Sequence, residues 1–243
     1  MKTNHQLKQL KDKSFSLELT LAAEDIKKEY QHVLAEIQAS FEKKGFRKGK
    51  APLDVVEQNI SPQEVIEEVL NHLLPKAYKE IIDEHKLKPI IEPTIKIKTE
   101  KLSLDSDWVL ELESTELPPV KINPELFNEI KPLNQDPKND QKIKTDKIIA
   151  LILKHTEIDL PPVLLNNDVN RRLSDLVEHL QSAKLSVDDY LKSKNITLAK
   201  YREELEIQIK KDWALNLAIN QIAIDKEIKV EQKEVEDIFT KNP

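Results

Sequence analysis

The residues best placed to do chemistry lie within eight positions. Lys43, Lys44, Arg47, Lys48 and Lys50 supply five cations with no acid among them, and Phe46 stands in their midst without an apolar neighbour. Gly45 and Gly49 complete the stretch and are the only glycines in the chain. A chain that otherwise avoids glycine needs it here for a positive φ or a close backbone approach. Ammonium and guanidinium groups recognise phosphate or carboxylate, and an isolated phenylalanine can act as an apolar anchor.

Three roles compete for this segment. A run of charge is most simply a solvated turn between helices. A phosphate-cradling P-loop would need four residues between its glycines and Ser or Thr after the lysine. Here three residues intervene and Ala51 follows Lys50, so that role is rejected. The third role is a docking finger: glycines shape the turn, Phe46 anchors it, and Arg47, Lys48 and Lys50 meet an acidic or phosphate-rich surface. The pairing of a bare aromatic with both glycines favours the finger over a plain turn.

Other reactive residue types are less promising. With no cysteine, disulfides, thiol nucleophiles and thiolate metal sites are excluded. The six histidines (5, 32, 72, 85, 155 and 179) are far apart in sequence, and none has a partner at metal-ligand spacing. His72 falls beside the apolar stripe of a helix, where a partly buried, satisfied imidazole is expected. Asp105-Ser106-Asp107 lacks the glycine and glutamate of a calcium loop and reads as a turn. Glu67-Glu68 and Glu203-Glu204 fall on solvent faces, and Trp108 and Trp213 read as core. No serine sits in a nucleophile elbow. No catalytic residue, metal ligand or cofactor is expected.

The elements that must position the loop are legible on both sides of it. Phe15, Leu17, Leu19 and Leu21 alternate with polar residues, which predicts a half-buried strand over 14–21. From Glu24 the period becomes helical, with Ile26, Tyr30, Val33, Leu34, Ile37 and Phe41 on one face. After the loop come a short helix from Leu53 to Gln58 and a longer one opened by Ser61-Pro62-Gln63-Glu64, a capping box with proline at the first helical position. Pro75 within that helix predicts a kink. Ile95/Ile97 and Trp108/Leu110/Leu112 predict two more strands. Residues 1–117 therefore read as an α+β domain.

Between Pro118 and Asp140 lie five prolines among Asn, Lys and Asp, so 118–144 reads as a linker or extended arm. Residues 145–243 read as helical. Asp159-Leu160-Pro161-Pro162 opens one helix, Ser186-Val187-Asp188-Asp189 caps a short one, and Thr197 caps a long one. In the last, Tyr201, Leu205, Ile209, Trp213 and Leu217 form a slowly turning stripe. That stripe and the Ile148–Leu153 run are expected to leave apolar surface uncovered, and Val230 to Phe239 reads as the start of a further helix.

Composition supports an elongated, mostly helical body. Hydrophobic residues make up 39% and charged residues 34%, leaner and more charged than an average globular domain. The net charge of −6 excludes a nucleic-acid coat, so polyanion contact must be local. No signal core follows Met1, and the longest apolar run is far too short to span a bilayer. A cytoplasmic location and no membrane partner are expected.

Gly45-Phe46-Arg47-Lys48-Gly49-Lys50-Ala51-Pro52 resembles the signature of bacterial trigger factor, a chaperone family of the ribosomal tunnel exit. The resemblance extends through Glu68-Val69-Leu70, Leu74-Pro75-Lys76-Ala77-Tyr78 and Leu87-Lys88-Pro89. It resumes at Ile158–Val163 and Leu185–Leu191, which are similar to the family's helical carboxy-terminal domain. In all it covers roughly 13–117 and 145–239.

The resemblance implies a ribosome-docking α+β domain followed by a helical cradle for nascent or unfolded polypeptide, working without ATP. Lys43 to Lys50 would contact a large-subunit exit-site protein and adjacent rRNA, with Phe46, Arg47 and Lys50 foremost. Two departures matter. The family's FKBP-like prolyl isomerase domain has no counterpart between the halves, so no enzyme activity is expected. Further family helices would follow Pro243, so one arm of the cradle is expected to be lacking. An off-ribosome holdase or assembly factor, monomeric or homodimeric, is the main alternative, and a peptidyl-prolyl isomerase is the disfavoured one.

Overall fold

The computed structural model describes residues 4–135 and 141–228. The chain divides into two compact units, Met1–Leu117 and Pro118–Pro243.

The first unit begins with an antiparallel pair, β1 (Asn4–Gln9) and β2 (Ser14–Leu21). The helices α1 (Ala23–Ser40), α2 (Leu53–Glu57) and α3 (Pro62–His85) follow, and then β3 (Thr94–Ile97) and β4 (Trp108–Thr115). The sheet order is β1-β2-β4-β3, with Leu17 opposite Leu112 and Leu19 opposite Leu110. Alternation along β2 and β4 sends Leu17, Leu19, Leu21, Trp108, Leu110 and Leu112 to one face. There they meet Ile26, Val33 and Leu34 of α1 and Val65, Val69, Leu73 and Ile81 of α3. Each fully buried side chain of this size contributes about 1.5–3 kcal/mol of transfer free energy.

Two local expectations change. Residues 4–9 form a strand although only Leu7 packs on the core, because backbone pairing along β2 supplies what side-chain burial does not. Ser61 precedes α3, but its hydroxyl accepts no capping hydrogen bond, so Pro62 at the first turn carries the start signal alone. The start of α1 is capped from a distance, where Asp107 Oδ1 accepts from the Ala23 amide at 2.8 Å. α3 runs from Pro62 to His85 without interruption at Pro75.

The second unit overturns the linker. Residues 118–144 carry β5 (Val120–Ile122), α4 (Glu125–Gln135) and the first residues of α5 (Gln141–Lys154). Pro124 stands just before a helix rather than preventing one, and Asn123 Oδ1 accepts from the Glu125 amide at 3.0 Å. Leu126 is wholly buried against Ile152 and Ala218. β6 (Thr156–Ile158) pairs antiparallel with β5, Val120 opposite Ile158. α6 (Pro162–Ser182), α7 (Val187–Ser193) and α8 (Leu198–Asp225) complete the unit. Ser186 and Thr197 cap α7 and α8 by accepting from the amides of Asp189 and Lys200.

The surfaces expected to lie bare are largely covered. Ile148, Leu151 and Ile152 pack into the Leu126 cluster, while Ile209 and Leu217 are buried and Tyr201, Leu205 and Trp213 half-buried. α4 and α6 are the covering elements, the former unseen in sequence. The exposed apolar side chains of α8 are instead Leu198, Ile207, Ile219 and Ile224. The helix expected from Val230 to Phe239 lies outside the described residues.

Candidate functional site

The basic segment is a closed loop between α1 and α2. α1 ends where the Phe41 amide donates to Gln38 O at 3.1 Å. The Gly49 amide then donates back to Phe41 O at 3.0 Å, shutting the base of the loop. Within it the Phe46 amide donates to Lys43 O and the Lys50 amide to Arg47 O, two successive turns. Gln38 Nε2 donates to Ala51 O at 2.6 Å, and Ala51 is buried, so the exit strand is pinned to α1 as well.

Both glycines are required, for different reasons. Gly45 has φ +100° with open space around the position of a Cβ, so conformation alone selects it. Gly49 has φ +72°, and a Cβ there would come within 2.8 Å of Ala39 O, so conformation and backbone crowding both forbid a side chain.

The consequence is a fixed display. Phe46 is 42% exposed, a large apolar ring held in solvent. Lys43, Lys44, Arg47, Lys48 and Lys50 are all exposed. Lys48 Nζ pairs with Glu42 Oε1 at 2.8 Å, so its charge is partly compensated by an acid just outside the basic run. No ion pair among the described residues engages the other four cations. Glu42, Lys43, Lys44, Phe46 and Lys48 line a shallow depression of about 440 Å³. The eight residues proposed from sequence thus share one loop, while Gln38 and Glu42, which support it from outside, escaped notice because neither belongs to the run of cations.

α2 buttresses the loop exit through Val56, which is buried, and through Glu57, whose Oε1 accepts from Tyr30 Oη at 2.8 Å. Burial, with the Glu57 hydrogen bond and charge behind it, pushes the Tyr30 phenol up to about 12. It remains a hydrogen-bond donor at any physiological pH.

Histidines that looked isolated in sequence come together in two places. Glu29 and His32 of α1 converge with His72 of α3, each offering a ligand atom within 4.8 Å of the others, and His5, Glu84 and His85 do the same at the β1–α3 edge. His72 Nδ1 lies 2.9 Å from Glu29 Oε1, so the expectation of a satisfied histidine holds, although its surroundings hold more than that. Asp105 is a turn residue paired with Lys27. Glu67, Glu68, Glu203 and Glu204 are exposed. No helix among the described residues is long and apolar enough to cross a membrane.

Comparison with known proteins gives consistent results. A family model described as bacterial trigger factor protein matches residues 2–147, and one described as its C-terminus matches 131–241. Over 106 residues the chain is 31% identical to trigger factor of Streptococcus pneumoniae (strain JJA) and 30% identical to that of Staphylococcus aureus (strain JH9). Each alignment covers 44% of this chain and 24% of the relative, so the match spans only a minor part of those relatives' own length. A solved structure described as "Promiscuous Substrate Recognition in Folding and Assembly Activities of the Trigger Factor Chaperone" aligns with TM-score 0.58 at 14% identity. It covers 96% of this chain and 88% of that one, and at such identity the likeness is one of fold.

Proposed function

The chain belongs to the bacterial trigger factor family, which its matches over 2–147 and 131–241 establish, and from that premise we propose that it is an ATP-independent chaperone. It docks at the ribosomal tunnel exit through Lys43–Lys50 and holds nascent or unfolded polypeptides in the cytoplasm. The observation that carries the reading is the display of Phe46 among five cations, four of them without an ion-pair partner among the described residues, on a loop shut at its base. An apolar anchor ringed by Arg and Lys suits a surface that joins protein to RNA phosphate. Arg47 and Lys50 carry more of the contact than Lys48, whose charge Glu42 already meets.

Holding requires weak, many-sited burial of client side chains rather than one tight pocket. A groove of about 670 Å³ between α4 and α5, floored by Pro132, Leu133, Ala150 and Leu151, offers such a seat in the second unit. No isomerase step is assigned: the two family matches overlap at 131–147, which supports an uninterrupted join between the halves.

The test is co-sedimentation with ribosomes. Changing Phe46, Arg47 and Lys48 together to alanine should abolish binding without disturbing the core, and wild-type binding should fall as salt rises. A triple variant that sediments like the wild type at equal salt would reduce the loop to a turn and leave the off-ribosome holdase standing.

A further inference from the structure

Glu29, His32 and Glu36 stand at i, i+3 and i+7 on α1, which places them on one face of the helix. α3 packs alongside through the shared core and brings His72 opposite them at the rim. Glu29 Oε1 is the focus: His72 Nδ1 lies 2.9 Å from it and His32 Nδ1 lies 3.4 Å from it. A tetrahedral ion with bonds of about 2.0–2.1 Å sets its ligand atoms about 3.3 Å apart, so these two separations already approximate two edges of such a site, and the third lies within 4.8 Å.

We propose that Glu29, His32 and His72 bind a divalent transition-metal ion of the zinc type, linking α1 to α3. Two imidazole nitrogens and one carboxylate are a borderline donor set that suits Zn²⁺ or Co²⁺ and disfavours Ca²⁺ and Mg²⁺. With the metal on Nδ1 of His72, the other ring nitrogen faces Glu36 Oε2 at 3.8 Å. At that distance the carboxylate makes no hydrogen bond but its charge favours a proton on the ring's outer nitrogen, and a water completes the fourth position. The His32 side chain is well exposed and that of His72 partly so, which gives the ion a way in. Glu29 is mostly enclosed and fixes the geometry. Besides the two imidazoles, the Lys76 ammonium also acts on the Glu29 carboxylate.

The link ties the helix that leads into the docking loop to the longest helix of its unit, so occupancy would stiffen the loop's base. It rests on side-chain geometry alone and stands whether or not the loop meets a ribosome.

The experiment titrates Co²⁺ into the full chain after EDTA treatment and follows visible d–d absorption. The expected result is an intense tetrahedral-type band saturating at one equivalent, bleached by Zn²⁺, with Zn²⁺ also raising the midpoint of thermal unfolding. His32→Gln and His72→Gln should each weaken binding by at least about tenfold. His32→Gln alters an exposed ring and should keep the helical circular dichroism, so its loss of binding cannot be ascribed to unfolding. His85→Gln, at the other histidine cluster, should change nothing. Absence of the band, a weak octahedral-type spectrum, survival of the band in both glutamine variants, or its loss in His85→Gln would each overturn the assignment.

Discussion

The two units solve the problem of cohesion in opposite ways. The first buries one continuous apolar layer, with Trp108 and eight leucines among the side chains locked between the sheet and two helices. In the second, the apolar cluster around Leu126, Ile152 and Ala218 is small, and α6 and α8, which also bury Leu164, Val169, Ile209 and Leu217, are joined by a seam of polar pairs. Arg172 Nη2 pairs with Asp212 Oδ2 at 2.6 Å, Arg202 donates to Asn166, and the Trp213 indole donates to Asp168 Oδ2 at 2.7 Å. A dry layer is stable and unforgiving. A polar seam is directional, weaker per area, and can open by stages.

The two tryptophans make this contrast measurable, since Trp108 reports on the first unit and Trp213 on the second. The largest effect is expected from Trp108→Ala, which removes a fully buried indole at a cost of about 3–5 kcal/mol. The Trp213 fluorescence transition in urea should keep its midpoint. If it moves with the loss of the first unit, the halves unfold as one body and the comparison fails.

A smaller loss is expected in the seam. Asp168 is buried, accepts from Trp213 Nε1 and forms an ion pair with Arg171 Nη2 at 2.9 Å. Asp168→Ala strands the indole N–H and should cost about 1–3 kcal/mol, read by Trp213 fluorescence, whereas Asp168→Asn, which keeps an acceptor, should cost less. Equal losses would mean that packing rather than hydrogen bonding holds α6 to α8.

The smallest effect is a pH dependence. The hydrogen bond from Lys154 holds the Glu129 carboxyl below its usual range, with a further pull from His155, whose Nε2 lies 3.1 Å away in an ion-pair contact not aligned as a hydrogen bond. A lowered carboxylate contributes stability above its ordinary value and loses it as pH falls through the lowered one. The urea midpoint of the wild type should therefore exceed that of Glu129→Gln at neutral pH. The gap should close progressively below about pH 4. A gap independent of pH would assign the difference to packing of α4 on α5.

The same contrast explains what could be read in advance. β2, β4, α1 and α3 were legible because a dry layer imposes strict period: Leu17, Leu19 and Leu21 on one side, Ile26, Val33 and Leu34 on the other. β1 was not, because its pairing is carried by backbone and only Leu7 reaches the core. α4 was hidden by its prolines, Pro124 standing just before it and Pro132 lying within it, and by its few apolar anchors, Leu126 foremost. The loop was visible as composition, yet its clasp was not, since Gly49 to Phe41 is a backbone bond that no side chain announces. The Glu29–His72 encounter joins residues 43 positions apart and depends on how α1 and α3 pack.

That clasp has an energetic corollary. A flexible basic loop would surrender conformational entropy on meeting its partner, on the order of 1 kcal/mol for each residue fixed. Here the Gly49–Phe41 and Gln38–Ala51 hydrogen bonds have already removed most of that freedom in the unbound protein. What remains to be ordered at encounter are the side chains of Phe46 and its flanking cations. Association then needs no loop folding, and the free energy of contact goes into residence rather than into ordering the backbone.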